Sequence, residues 1–293
     1  MASFERTGIR RVIVVVMDGM RADAVPLFHL RTLERLAARG AWTFHAETVQ
    51  PSVTAAAMGS LFTGVTPREH GLDTDRFRLP QPRVALEPVP GALARAGIPS
   101  FVFLASIPRL YRPLAARLAR IAGVTDATFT GMDAPQILDA SMPYLTARDH
   151  GLFLFHWPDG DRAGHAAGWT SRAYAAALRR MDDTLGRLDA ITGASTDEGT
   201  LLIAVADHGG GGHVATNHDS DHVHDRRVPL IVAGGQVRPG TLPAGTSLLD
   251  VPATIVHALG ATVPSSYGGR VLHEVLPDLA VPDEDRYALV AAC

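Results

Sequence analysis

Three short apolar runs, each ending in ionisable side chains, constrain this chain most. Residues 12–17 (VIVVVM) run into Asp18, residues 152–157 (LFLFHW) into Asp159 and Asp161, and residues 201–206 (LLIAVA) directly into Asp207 and His208. These runs lack the polar alternation of a strand with one wet face, and their Val, Ile, Leu and Phe content fits strands covered on both sides. Residues 100–105 and 229–233 are of the same kind. Between them, residues 30–38, 92–96, 111–121, 172–188 and 251–259 carry Leu, Ala and Arg at helical spacing, and glycines at 40, 97, 123 and 260 stop four of them. The alternation predicts a layered α/β fold. In such sheets ligands bind beyond the carboxyl ends of the strands, so the three acidic ends are expected to converge at one edge.

Composition narrows what that edge can do. The chain has 293 residues, 46% of them hydrophobic, enough for one large core. A single domain over residues 1–293 is expected, with a Pro- and charge-rich surface excursion at 73–89. Lys and Arg number 27 against 30 Asp and Glu, a net charge of −3 that argues against a nucleic-acid scaffold. The one cysteine, Cys293, excludes an internal disulfide framework and a thiolate metal cage, so any metal site must use His and carboxylate. No apolar run approaches the ~20 residues of a spanning helix or the pattern of a signal peptide. A soluble, cytoplasmic protein without a membrane partner is expected, its oligomeric state open.

The ionisable residues fall into short sets. Asp161 and His165 form Asp-x-x-x-His within PDGDRAGH, where Gly164 would let the backbone bend close to an ion. Asp207 and His208, being adjacent, can serve one ion only from a loop or strand end. The tract NHDSDHVHD carries His218, His222 and His224, of which at least one should reach the site, because borderline divalent ions favour imidazole with carboxylate. A lone Asp18 would read as a turn former or cap, but three such strand ends shift the reading toward a metal. Thr54, in QPSVTAAAMGSLFTG, reads equally as a helix N-cap or as a hydroxyl placed where helix N–H groups favour phosphate. The four glycines at 209–212 read as a flexible loop, since they lack the spacing and the Lys of a nucleotide-binding turn.

The ordered set VVVMDGMR, PSVTAAAMGSLFTGVTPREHG, DGDRAGH, VADHGG and HDSDHVHDRRVPLIVAGG resembles the alkaline phosphatase superfamily, in its nucleotide pyrophosphatase/phosphodiesterase branch. The resemblance spans most of residues 12–264. It implies a three-layer αβα sandwich around a mostly parallel sheet and two divalent metal ions, zinc or manganese. One ion would be held by Asp18, Asp207, His208 and Thr54, and the other by Asp161, His165 and His218, with His222 and His213 as substitutes for the last. It also implies a phosphoric ester hydrolase, in which Thr54 attacks phosphorus through a phosphothreonine intermediate and the substrate is a small phosphate ester or nucleotide. The diesterase branch has an Asn three residues after its threonine as a phosphoryl hydrogen-bond donor, and this chain has Ala57 there. Arg21 and Arg162 flank the ligand segments and could reach a phosphate. The alternatives are a phosphomonoesterase, a phosphonate hydrolase, a phosphomutase, or a metal-binding protein without turnover. The C/S-x-P-x-R setting of sulfatases is absent.

Overall fold

The computed structural model describes residues 7–75 and 81–276. Its strands are β1 (Arg11–Met17), β2 (Ala41–Glu47), β3 (Ser100–Leu104), β4 (Asp126–Phe129), β5 (Gly151–Trp157), β6 (Thr200–Val205), β7 (Arg227–Ala233) and β8 (Gly240–Thr241). Its helices are α1 (Ala24–Leu27), α2 (Arg31–Arg39), α3 (Thr54–Thr63), α4 (Pro67–His70), α5 (Val89–Arg95), α6 (Arg112–Ile121), α7 (Ala134–Ala147), α8 (Asp159–Ala167), α9 (Arg172–Thr192), α10 (Val223–Arg226) and α11 (Asp250–Ala258).

The strands form one sheet in the order β4-β3-β5-β1-β6-β7-β2-β8. The first five of these are parallel, and β7 runs against both β6 and β2. This is an α/β sandwich around a mixed, mostly parallel sheet. Every residue of β1 and β6 is buried, as the continuous apolar runs predict for strands roofed on both faces. Helices α2, α7, α8 and α9 pack among themselves, and α3, α5 and α11 form a second group.

Register levels the ends that matter. Met17 lies opposite Trp157, and Val16 opposite both His156 and Val205, so β1, β5 and β6 finish together. Because β2 runs against β7 and β7 against β6, β2 finishes at the same edge and delivers residues 48–53 and then Thr54 there. Within 73–89, residues 81–85 are exposed, 86–88 half-buried and Val89 buried at the start of α5, while 76–80 lie outside the described residues, as does Cys293. No helix among the described residues is long and apolar enough to cross a membrane.

Two readings of glycine need correcting. Gly164 does not bend the chain toward an ion, because it lies inside α8, and a Cβ there would meet the Trp169 ring at 2.5 Å. The glycines at 209–212 are not simply a flexible loop: Gly209 and Gly210 are buried, and a Cβ on Gly210 would also strike the Trp169 indole. Both Gly164 and Gly210 are small so that Trp169 can pack against them.

Candidate metal centre

Asp18 follows β1 directly, and its N–H donates to the Trp157 carbonyl at 3.0 Å while its own carbonyl accepts from Asp161 N–H at 2.9 Å. The β1 end is thereby stitched to the start of α8. Asp161 and His165 lie four residues apart on that helix, which puts them on one face. Gly19 holds the turn with φ +69°; its N–H donates to Asp207 Oδ1 at 3.2 Å, and its carbonyl accepts from Trp169 Nε1 and the Tyr174 hydroxyl, both at 2.8 Å. Asp207 and His208 leave β6 in a loop, as adjacent ligands require, and the Thr48 hydroxyl donates to the Asp207 carbonyl.

Three imidazoles are oriented alike. Nδ1 of His165 faces the Thr216 carbonyl at 2.9 Å, Nδ1 of His208 the Gly209 carbonyl at 2.8 Å, and Nδ1 of His218 the Ser52 carbonyl at 2.7 Å. A carbonyl only accepts, so each Nδ1 carries a proton, and in the neutral ring each Nε2 presents a lone pair. Those lone pairs converge. His165 and His218 Nε2 are 3.1 Å apart, and Asp161 Oδ1 lies 3.3 and 3.6 Å from them. Between neutral rings neither nitrogen can donate to the other, whereas both lone pairs can face one cation. His208 Nε2 lies 3.0 Å from Thr54 Oγ1, 3.4 Å from Asp18 Oδ1 and 3.7 Å from Asp207 Oδ2. Donor atoms of Asp18, Asp207 and His208 lie within 4.8 Å of one another, as do those of Asp161, His208 and His218.

Electrostatics point the same way. Asp207 and His208 are fully buried, and Asp18 and His218 are 4% and 3% exposed. Asp18 Oδ1, Asp161 Oδ1 and Asp207 Oδ2 are buried without a hydrogen-bond partner. Burial pushes the Asp18 carboxyl well above its usual range, and the charges of Asp207 and Asp161 push it further. Burial also opposes the Asp207 carboxylate, but His208, His156 and the Gly19 N–H outweigh it and hold that group below the ordinary carboxylate range. Burial, and then the neighbouring His208, lower the His218 pKa, which keeps its Nε2 lone pair available. Unpaired buried carboxylates and inward-facing imidazole lone pairs are the donor set of a borderline divalent cation, so the residues present fit one.

All seven residues expected at the site therefore gather, and the structure brings His218 rather than His213 or His222 to Asp161 and His165. His213 pairs with Asp221 at 3.2 Å, and His222 Nδ1 accepts from the His224 N–H. Thr54 is not an N-cap. Val53 holds that position without a side-chain bond, and Thr54 opens α3 with its hydroxyl toward His208. Ala57 is fully buried, so a longer side chain there would enter the core. At the start of α3 it is Asp75 whose carboxylate accepts from the Ala55 N–H at 3.0 Å, standing where an anionic oxygen would bind. Arg21 is bound to Asp23 through Nε and Nη2 at 2.8 and 2.6 Å, and Arg162 donates to the Met132 carbonyl, so both guanidiniums are engaged elsewhere.

Sequence reasoning missed His156. Its Nε2 lies 3.4 Å from Asp18 Oδ2 and 3.8 Å from Asp207 Oδ2, buried and without a hydrogen-bond partner. Its position inside an apolar strand hid it, although the register with Val16 places it one residue from the sheet edge.

Comparison with known proteins gives concordant results. Residues 111–263, more than half of the chain, match the profile of the Metalloenzyme superfamily, and residues 12–92 match that of the type I phosphodiesterase/nucleotide pyrophosphatase family. A 2,3-bisphosphoglycerate-independent phosphoglycerate mutase of Shewanella sp. (strain ANA-3) is 26% identical over 49% of this chain and 27% of its own length. A phosphopentomutase of Erwinia tasmaniensis is 32% identical over 47% of this chain and 31% of its own length. The chain thus spans about a third or less of the curated relatives it matches. Among solved structures, the murine ectonucleotide pyrophosphatase/phosphodiesterase 5, in an inactive form bound to AMP, superposes with TM-score 0.69 at 14% identity, over 87% of this chain and 96% of its own. A phosphonate monoester hydrolase from Silicibacter pomeroyi gives TM-score 0.69 at 17% identity, over 94% and 78%.

Proposed function

The chain belongs to the Metalloenzyme superfamily, alkaline phosphatase-like and close to its nucleotide pyrophosphatase/phosphodiesterase branch, and from that premise we propose that it is a metal-dependent phosphoric ester hydrolase with Thr54 as nucleophile. The observation that carries this reading is the Thr54 hydroxyl, 3.0 Å from His208 Nε2 at the first turn of α3, beside buried carboxylates that lack partners. Asp18, Asp207, His208 and Thr54 would hold one divalent cation and Asp161, His165 and His218 a second, with the whole chain acting as one domain. Zinc or manganese bound there would supply the positive charge that favours an alkoxide at neutral pH and offsets charge on the departing oxygen.

The chain's own groups then do the following. The Ala55 N–H, at the positive end of the α3 dipole, holds a phosphoryl oxygen in place of Asp75. The Thr54 hydroxyl releases its proton to solvent, Oγ1 bonds to phosphorus, and the bond to the leaving alcohol breaks in line with it. Water next cleaves the phosphothreonine, restoring the hydroxyl and releasing the phosphoryl product. Trp169 and Tyr174, both fixed on the Gly19 carbonyl, keep the Asp18 turn from shifting during this cycle.

Release of p-nitrophenol from bis(p-nitrophenyl) phosphate tests the reading. The wild type should turn over and stop with EDTA, while Thr54→Ala should lose at least about a thousandfold yet retain bound metal. Full activity in Thr54→Ala would refute the role, and bound metal without turnover in the wild type would favour a non-catalytic protein. A phosphomutase is the second reading, favoured by the mutases that match half of the chain at 26% and 32% identity. It predicts that phosphoryl groups pass to a sugar phosphate or acid rather than to water, which isotope-labelled water distinguishes.

A further inference from the structure

A groove of about 650 Å³ opens beside the nucleophile, walled by Ala55, Met58 and Phe62 of α3, by Leu86, and by Leu118 and Ile121 of α6. Ala55 adjoins Thr54 in the chain and Met58 lies one helical turn on from it, so the groove runs along α3 from the residue next to the nucleophile. The two polar side chains among the described residues of its wall are already committed. The Thr63 hydroxyl donates to the Gly59 carbonyl at 2.7 Å, and His70 binds the Leu72 N–H through Nδ1 at 3.1 Å and the Ser60 hydroxyl through Nε2 at 3.1 Å. Among the described residues no charged side chain lines it. A nucleobase or sugar placed there would leave its own donors and acceptors unpaired, which is costly in an apolar site, whereas a hydrocarbon would not. The outer wall is unspent apolar surface: α6 buries none of its residues, and Leu118 and Ile121 are 46% and 73% exposed.

We propose that this groove receives the hydrocarbon group of the substrate, so that the chain acts on phosphoric esters of apolar alcohols. The inference rests on the hydrolase reading for the position of the phosphoryl group and adds the class of alcohol. Continuity with Thr54 selects a small ester as occupant, because a ligand with its phosphorus at Oγ1 has its first carbons beside Ala55 and Met58.

Calorimetric titration of the zinc-loaded protein with methylphosphonate and octylphosphonate, neither of which can be hydrolysed, tests the groove directly. Octylphosphonate should bind at least tenfold tighter. Leu118→Glu and Ile121→Glu, both on an exposed helix face where folding is not at stake, should each cut that preference below threefold and leave methylphosphonate unchanged. Equal binding of the two probes, a preference that survives both variants, or equally tight binding of octyltrimethylammonium would overturn the proposal. Hydrolysis of methyl and octyl p-nitrophenyl phosphate, run in parallel, separates the two claims. If neither ester turns over, the hydrolase reading fails while the binding data still decide the groove; if both turn over with equal kcat/KM, the groove assignment fails and the hydrolase reading stands.

Discussion

Replacing Gly164 by Ala sets two physical effects against each other. In a helix interior Ala is favoured over Gly by about 1 kcal/mol, so propensity alone predicts a more stable protein. The structure predicts the reverse. The new Cβ would stand 2.5 Å from two carbons of the Trp169 ring and 2.6 Å from a third, about 1 Å inside ordinary carbon contact. The indole cannot step aside, because Gly210 packs on it from elsewhere and its Nε1 is tied to the Gly19 carbonyl at 2.8 Å. Overpacking costs about 1–3 kcal/mol, and weakening that hydrogen bond adds about 1 kcal/mol. Net of propensity, Gly164→Ala should be destabilised by about 1–3 kcal/mol, which at about 2 °C per kcal/mol lowers Tm by roughly 2–6 °C. The Trp169 ring also lies 5.2 Å from that of His165 and 5.8 Å from that of His218, so metal affinity should fall with it. Urea unfolding of the metal-free protein measures the first effect, and competition with a chromophoric chelator the second. A variant as stable as the wild type, with unchanged affinity, would refute the packing account of this glycine.

Three further outcomes follow from the site. His156→Ala removes the imidazole between the Asp18 and Asp207 carboxylates and should weaken metal binding about 10–100-fold, as loss of a supporting group does; unchanged affinity in chelator competition would show that His156 is only a core residue. Asp75→Asn removes a negative charge from the Ala55 N–H and should raise kcat/KM for an anionic ester by roughly fivefold, from about 1 kcal/mol of relieved repulsion; a fall would mean that the carboxylate assists the reaction. Burial lowers the His70 pKa below its unfolded value of 6.5, so the unfolded chain takes up a proton that the folded chain does not as pH falls through 6.5. Stability conferred by neutral His70 is complete above that pH and is lost below it, and between pH 7.5 and 5.5 Tm should drop more for the wild type than for His70→Gln. Equal drops would contradict this.

Much of the fold was legible because the central strands are buried on both faces and read as unbroken apolar runs. The five parallel or neighbouring strands and the helices between them lie within a few residues of their expected bounds. What escaped is the 14-residue α7, for which no helix was expected, and elements at the margins. β4 is a half-exposed edge with the sequence DATF, β8 has two residues, and β2, with burial alternating along AWTFHAE, carries a His and a Glu that dilute its pattern. α8 was hidden because PDGDRAGH, with two glycines and a proline, reads as a turn, and only Trp169 filling the space over Gly164 explains why glycine is kept inside a helix. Six of the seven expected site residues were visible as strand-end acids and spaced histidines, and Thr54 as a hydroxyl ahead of a run of small helix-forming residues. The choice of His218 over its neighbours depends on the Ser52 carbonyl, 166 positions away in the chain, which no local pattern encodes. The Asp75 carboxylate on the α3 terminus is likewise a tertiary contact that the residue identity alone does not reveal.

Anomalous X-ray diffraction from crystals grown with zinc measures the central claim most directly. The account predicts two peaks, one bounded by Asp18, Thr54, Asp207 and His208 and the other by Asp161, His165 and His218. A single ion shared by all seven residues, or zinc found only at surface histidines such as His213, would contradict it.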